Sequence, residues 1–326
     1  MTSARPIVRR WFMALVFAMI SSLNGVAADP DKIETLFFTT LNLETKKFSI
    51  VSTASDGSKR TTLTKGEDRE VDPALSPDGK RIAFVVWKKG ESTSDICVMN
   101  TDGTGRKTIL KGEGYRFAMA PAWSPDCTKI AYTVPKDGVM VIDTAGKNAR
   151  NLGRGMLADW SPDGKKILYT MFGKGGATTI CVMDVDGKNA VELIQGRAML
   201  GAYSPDGKRI VYMAAPDGPS SRPCIFIANA DGKNATCLTK GEGATEVYPR
   251  WSADCQHIFF TRLTDQKRPS VRSILCVMDA DGKNVRELTR GTEMDMLAGQ
   301  GETLWLLLPQ PQIGPSKIPP PKMREE

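Results

Sequence analysis

A five-residue phrase, Ser-Pro-Asp-Gly-Lys or a close variant, recurs five times along this chain, and its repetition narrows the available folds more than any other feature. The copies read "ALSPDGKRIAF", "AWSPDCTKIAY", "DWSPDGKKILY", "AYSPDGKRIVY" and "RWSADCQHIFF". Their serines stand at 76, 124, 161, 204 and 252, spaced by 48, 37, 43 and 48 residues. A second phrase runs in parallel: "NTDGTGRKTIL", "DTAGKNARNL", "DVDGKNAVEL", "NADGKNATCLT" and "DADGKNVRELT", with an earlier copy in "STASDGSKRTTLT". Each unit translates into four strands. A short apolar-alternating run ends at Trp123, Trp160, Tyr203 or Trp251 and enters the corner. There proline presets φ, aspartate bonds nearby backbone and glycine accepts positive φ. A second strand follows with apolar residues two apart, as in Ile167 and Tyr169. A third, such as "TICVMD", reaches an Asp-Gly hairpin turn, and a fourth, such as "AVELI", completes the unit. Four antiparallel strands repeating about every 40 residues predict an all-β chain folded as a β-propeller.

These units resemble the propeller repeat of the TolB family, which is related to WD-repeats and is also found in prolyl-oligopeptidase-like enzymes. The resemblance covers about residues 33–308 and is carried by the five corners in register. It does not extend to the separate α/β domain that precedes the propeller in the protein for which the family is named, because the repeats begin close to residue 29. Full units occupy about 71–110, 119–152, 156–194, 199–239 and 247–290. The segment "IETLFFTT…FSIVSTASDGSKRTTL" supplies a further unit that lacks its first strand. The C-terminal "LAGQGETLWLLL" aligns with "WSPDGKKILYT", so the end of the chain can provide the missing inner strand and close the ring. This predicts six blades with one strand left over; seven blades, one degenerate, is the alternative count. Residues 309–326 are proline-rich and polar, and read as a disordered tail.

The first 28 residues read as an export signal. Arg5, Arg9 and Arg10 form a positive start, Trp11 to Ile20 a short apolar core, and Val26-Ala27-Ala28 a small-residue cleavage site before Asp29. The segment "RRWFMAL" loosely resembles a twin-arginine signal without its usual preceding serine and following lysine. Removal of this segment lowers the formal net charge from +7 to +4. Many remaining lysines follow turn glycines (Lys80, Lys165, Lys188, Lys208, Lys233 and Lys283), and no basic run is interleaved with aromatics, which argues against a nucleic-acid partner. No other stretch is long enough to insert the mature chain in a membrane, so the expected location is the periplasm or outside the cell.

Export permits disulfides, so the seven cysteines need a reading. Cys97, Cys181 and Cys276 occupy one repeated slot five residues before a turn aspartate, where each reads as a small buried hydrophobe. Cys127 and Cys255 replace the corner glycine. Cys224 and Cys237 flank one hairpin diagonally, and whether they bridge is open at this stage. Catalytic motifs are scarce. The single histidine, His257, takes a slot filled elsewhere by Arg81, Lys129, Lys166 and Arg209. The chain contains no G-x-S-x-G elbow, no H-E-x-x-H pair and no phosphate-binding loop. "DVDGKN" and "DADGKN" echo the start of a calcium loop but lack its third acidic position and its closing glutamate, so no metal or cofactor is expected.

Function is expected where the copies disagree. Corners and hairpins share one face; the opposite face carries the variable loops "KKGEST", "FGKGG", "APDGPSSRP" and "TDQKRPSVRS". Near the axis on that side lie Glu70, Asp72, Tyr115, Arg116, Asp159, Arg197, Glu246, Tyr248 and Arg250, the candidate partner-binding residues. The expectation is a non-catalytic platform for another envelope protein, of undetermined oligomeric state. The alternative is a propeller enzyme, a lyase or hydrolase using channel carboxylates on envelope glycan. The export reading predicts that N-terminal sequencing of the mature protein starts at Asp29; a first residue upstream of Trp11 would refute it.

Overall fold

The computed structural model describes residues 34–42, 45–113, 117–215, 222–239, 244–264, 272–289 and 294–296. Its strands form six four-stranded antiparallel sheets, the blades of a propeller, so the count of six holds. Blade 1 contains β1 (Thr35–Leu41), β2 (Phe48–Ala54) and β3 (Thr61–Thr62). Blade 2 comprises β4 (Arg69–Leu75), β5 (Arg81–Trp87), β6 (Ser94–Asn100) and β7 (Lys107–Leu110). Blade 3 has β8 (Met119–Trp123), β9 (Lys129–Val134), β10 (Gly138–Asp143) and β11 (Arg150–Gly153). Blade 4 has β12 (Met156–Trp160), β13 (Lys166–Phe172), β14 (Thr178–Asp184) and β15 (Val191–Ile194). Blade 5 has β16 (Ala198–Tyr203), β17 (Arg209–Ala214), β18 (Cys224–Asn229) and β19 (Thr236–Cys237). Blade 6 has β20 (Ala244–Trp251), β21 (His257–Thr264), β22 (Arg272–Asp279) and β23 (Arg286–Glu287). The last described strand, β24 (Met294–Met296), pairs with β1 from Leu41↔Met294 to Thr39↔Met296 and takes the inner place of blade 1. The chain therefore closes the ring with strands from both of its ends. The segments read as signal, leftover strand and tail lie outside the described residues.

Each corner is a self-contained hydrogen-bonded turn. The serine hydroxyl accepts the N–H five residues on, at 2.9 Å for Arg81, Lys129, Lys166 and Arg209 and 2.8 Å for His257. The same hydroxyl bonds the corner aspartate: Asp78, Asp126, Asp163, Asp206 or Asp254. Cys127 and Cys255 hold the left-handed backbone that glycine holds in the other copies, with φ of 57° and 60°. Their carbonyls accept from Arg81 and Arg209 of the preceding blades at 3.1 and 2.9 Å. Those guanidinium groups lie 4.7 and 4.4 Å from the ring centres of Trp123 and Trp251. This link replaces the freedom lost with the glycine by a bond between blades. The carboxylates of Asp143, Asp184 and Asp279 are likewise taken up inside the hairpin turns, by Asn148, Asn189 and Asn284.

The core lies between blades. Phe37 and Ile50 of blade 1 pack with Leu75, Ile82, Phe84 and Cys97 of blade 2. Tyr203, Ile210 and Tyr212 of blade 5 cover Leu168 and Ile180 of blade 4. Cys97, Cys181 and Cys276 are buried in these layers, and burial pushes the Cys276 thiol up to about 12. Cys224 and Cys237 are both free thiols, one buried and one exposed. The hairpin glycine of each blade stands against a backbone carbonyl of its neighbour's outer strand. A Cβ on Gly57, Gly103, Gly146, Gly187, Gly232 or Gly282 would come within 2.5–3.1 Å of the oxygen of Leu288, Leu63, Ile109, Leu152, Leu193 or Leu238, respectively. The first of these contacts joins blade 1 to blade 6.

Gly187 and Gly90 separate this contact from backbone strain, because both have positive φ (88° and 84°) and only Gly187 touches a neighbour. Gly90→Ala should cost about 1–2 kcal/mol for the left-handed backbone alone. Gly187→Ala should cost measurably more in urea unfolding; equal losses would mean the carbonyl contact is unimportant.

Candidate functional site at the propeller axis

The inner strands share one irregularity. In blades 2 to 6 three residues of the inner strand oppose two of its partner, as where Val71↔Val85 is followed by Ala74↔Ala83. The extra residue begins with a left-handed backbone at Asp72, Ala120, Leu157, Leu200 and Tyr248, with φ between 50° and 63°. Such a bulge position usually takes glycine; here larger residues hold it, and each blade helps the next. Thr133 and Thr170 hydroxyls accept the N–H groups of Leu157 and Leu200 at 2.9 and 3.3 Å. Asp72 accepts the Ala120 N–H at 3.2 Å. The bulge aims different side chains from each blade toward one axis.

Two electrostatic encounters run between inner strands of different blades. Asp72 of blade 2 and Tyr248 of blade 6 are almost wholly buried, and the charge of Asp72 reaches Tyr248. Their blades are separated by blade 1, so this influence acts between inner strands of blades that are not sequence neighbours. Burial raises the Tyr248 phenol well above its usual range, and Asp72 adds to the effect. Burial also pushes Asp72 itself from 3.8 to about 7 against the Ala120 hydrogen bond, while its Oδ1 has no partner. The second encounter joins Asp159 of blade 4 to Arg250 of blade 6. Burial raises the carboxyl and lowers the guanidinium, and the attraction between them opposes both shifts. Asp159 also accepts the Tyr203 N–H at 3.0 Å, and Arg250 donates to the Pro249 carbonyl at 3.1 Å.

The remaining candidates separate from this pair of contacts. Glu70 and Glu246 occupy one slot of their blades and point to arginines of the same blade. Glu70 pairs with Arg106, and Glu246 with Arg262 at 2.7 and 3.1 Å. Each keeps one buried oxygen without a partner. Arg197 stands half-buried at the rim where the chain enters β16. Tyr115 and Arg116 lie outside the described residues. Asp159 and Arg250 sit two residues before a corner serine, nearer the corner face than the variable loops. His257 is away from the axis, 3.8 Å from Asp254 and 3.7 Å from Asp279. Sequence reasoning missed Arg106 and Arg262 because strand pairing alone reveals what a buried glutamate faces. Among the described residues no group of three His, Cys, Asp or Glu side chains could hold a metal, and no helix is long and apolar enough to cross a membrane.

Residues 34–156 and 138–268 match the family model described as the TolB beta propeller domain. The chain belongs to that family. Among solved structures it is similar to TolB from Acinetobacter baumannii, at 22% identity and a TM-score of 0.66 over 82% of this chain and 64% of that one. The chain thus spans less than two thirds of that protein's length. A TolB-type protein from Agrobacterium tumefaciens matches at 20% identity and a TM-score of 0.62, over 83% and 92% of the two chains. An oligogalacturonate lyase from Vibrio parahaemolyticus shares the fold at 13% identity and a TM-score of 0.50, over 78% and 73%. No curated protein matches the chain.

Asp72 gives the TolB-type axis a pH signature. The unfolded carboxyl releases its proton near 3.8 and the folded one near 7, so folding is favoured at low pH. Stability from this group is therefore full below about pH 4, falls as pH rises to about 7, and is flat above, a total of up to about 4 kcal/mol. Asn suits the left-handed backbone and still accepts from Ala120, so Asp72→Asn should flatten this decline in urea unfolding between about pH 5 and about pH 8. A decline of the same size in the variant would place its origin elsewhere.

Proposed function

We propose that this chain is an exported, non-catalytic propeller that binds another protein of the periplasm or cell envelope through the face carrying its variable loops. The observation that carries the reading is the burial of the polar side chains on the inner strands. Tyr248, Asp72 and Arg250 of the inner strands are almost wholly buried, so these polar side chains are not presented to a bound substrate. Recognition then falls to the rim, where loops of unequal length and composition are held by rigid blades. Membership of the TolB propeller family supports the reading, and the signal-like first 28 residues support the location.

The enzyme alternative draws on the fold shared with an oligogalacturonate lyase. Action on a glycan by paired acids needs carboxyl groups aimed at one substrate bond. Glu70 and Glu246 are engaged by Arg106 and Arg262, and Asp72 by the Ala120 N–H, which favours binding over turnover. Cross-linking and co-purification from envelope extract test the proposal, comparing the natural protein with Tyr115→Ala/Arg116→Ala. The expected outcome is a discrete protein partner, lost or strongly reduced in the double variant. An unchanged partner set removes these two residues from the interface. Recovery of no protein together with turnover of an envelope polysaccharide would replace the proposal by the enzyme reading.

A further inference from the structure

Positive charge on the variable face is compensated unevenly. In blades 1, 2 and 6 cations have acids to hand: Lys47 with Glu67, Lys88 with Asp95 at 3.2 Å, and Arg262 with Glu246 at 2.7 Å. Over blades 4 and 5 three cations have none among the described residues. Arg154 enters β12, Lys174 opens the short 3-10 turn Lys174–Gly176, and Arg197 enters β16. None of the three makes a hydrogen bond or ion pair with another side chain among the described residues. The loops that carry them, residues 153–156, 172–177 and 195–198, contain no aspartate or glutamate.

Arg197 is the decisive member. Its backbone is left-handed, with φ of 64°, and its Nε is buried without any acceptor. Its terminal nitrogen lies 3.8 Å from the place a Cβ would take on Gly176, so the guanidinium rests across the glycine turn. A desolvated donor without an acceptor is unfavourable, and a ligand oxygen would relieve it. Apolar surface adjoins the charge. Continuing the Met156–Thr170 register outward sets Arg154 level with Phe172, one of three large hydrophobic side chains exposed among the described residues, at 40%. Gly196 has open space where a side chain would stand, so an approaching chain meets bare backbone there.

We propose that this sector anchors an acidic peptide segment of the protein partner, with Arg197 clamping a carboxylate, Lys174 and Arg154 flanking it, and Phe172 covering a neighbouring apolar side chain. The inference rests on the protein-binding reading and specifies its chemistry. Arginine offers a planar fork that fits a carboxylate with two parallel bonds. Unpaired positive charge selects an acidic occupant. The exposed phenyl ring selects a peptide over a polyanion without apolar groups.

Fluorescence anisotropy with a labelled Glu-Glu-Phe-Glu-Glu peptide and the full mature chain tests the proposal. Saturable binding that weakens with added salt is expected. Arg197→Ala and Lys174→Glu should each weaken it at least about tenfold, a change of about 1.4 kcal/mol. Lys80→Glu, on the corner face, should leave it unchanged. Thermal unfolding checks that Arg197→Ala is folded, and Lys174→Glu in an exposed turn gives the same readout without disturbing the rim backbone. No binding, or binding unaffected by both substitutions, overturns the proposal. Tighter binding of a polygalacturonate oligomer, reduced by the same substitutions, would overturn it in favour of an anionic glycan. Recovery of an envelope partner undiminished by either substitution sinks this sector alone, whereas recovery of no partner sinks the protein-binding reading beneath it.

Discussion

Six hairpin glycines, each pressed against a carbonyl oxygen of the preceding blade, set the spacing on which the rest of this propeller depends. The contact leaves no room for a side chain, so neighbouring outer strands approach to backbone distance. Apolar layers between the blades then close around Phe84, Ile180, Tyr212 and Phe260. The hydrophobic effect is non-directional and would accept many angles between two sheets. The glycine contact and the tryptophan bonds, Trp123 to the Ala74 carbonyl at 2.8 Å and Trp160 to that of Ala122 at 3.1 Å, select one. Repeated around the ring, that angle brings blade 6 back to blade 1.

At the axis the same repetition produces a polar interior. In blades 2 to 6 the inner strand carries a bulge whose first residue has a left-handed backbone. Three blades place small or aliphatic residues there, Ala120, Leu157 and Leu200, while two place Asp72 and Tyr248. Asp159 and Arg250 attract one another between blades 4 and 6 without forming a direct salt bridge, and each is held in place by a backbone group, the Tyr203 N–H and the Pro249 carbonyl. These groups tie blades that are not sequence neighbours, and so favour one closed arrangement of the ring over slipped alternatives.

Individuality lies at the rim. The face of corners repeats the same hydrogen bonds in five blades, whereas the opposite face differs from sector to sector in charge pairing and in exposed apolar area. Among the described residues, the sector over blades 4 and 5 combines cations that lack an acidic partner with the exposed ring of Phe172.

Fold class, blade number and ring closure were legible in the sequence because each rests on local chemistry. Pro and Gly fix the corner dihedrals, alternation fixes which side of a strand is buried, and five copies in register with one incomplete unit pointed to six blades, with seven as the alternative that the structure removed. The axis was legible in part. Asp72, Asp159, Tyr248 and Arg250 stood out as the letters where the copies differ, yet which of them would meet was not written there, because their partners come from blades dozens of residues apart. Glu70 and Glu246 read as candidate partner-binding residues near the axis, and the structure pairs them with Arg106 and Arg262 of their own blades. Cys127 and Cys255 were legible as replacements of the corner glycine, but the arginine of the preceding blade that reaches each carbonyl was not. The sequence by itself determined the repeating unit, since that is set by neighbours along the chain. Only the tertiary structure decided which charges are spent inside the ring and which remain at its rim, since burial and pairing are properties of blades brought together by closure.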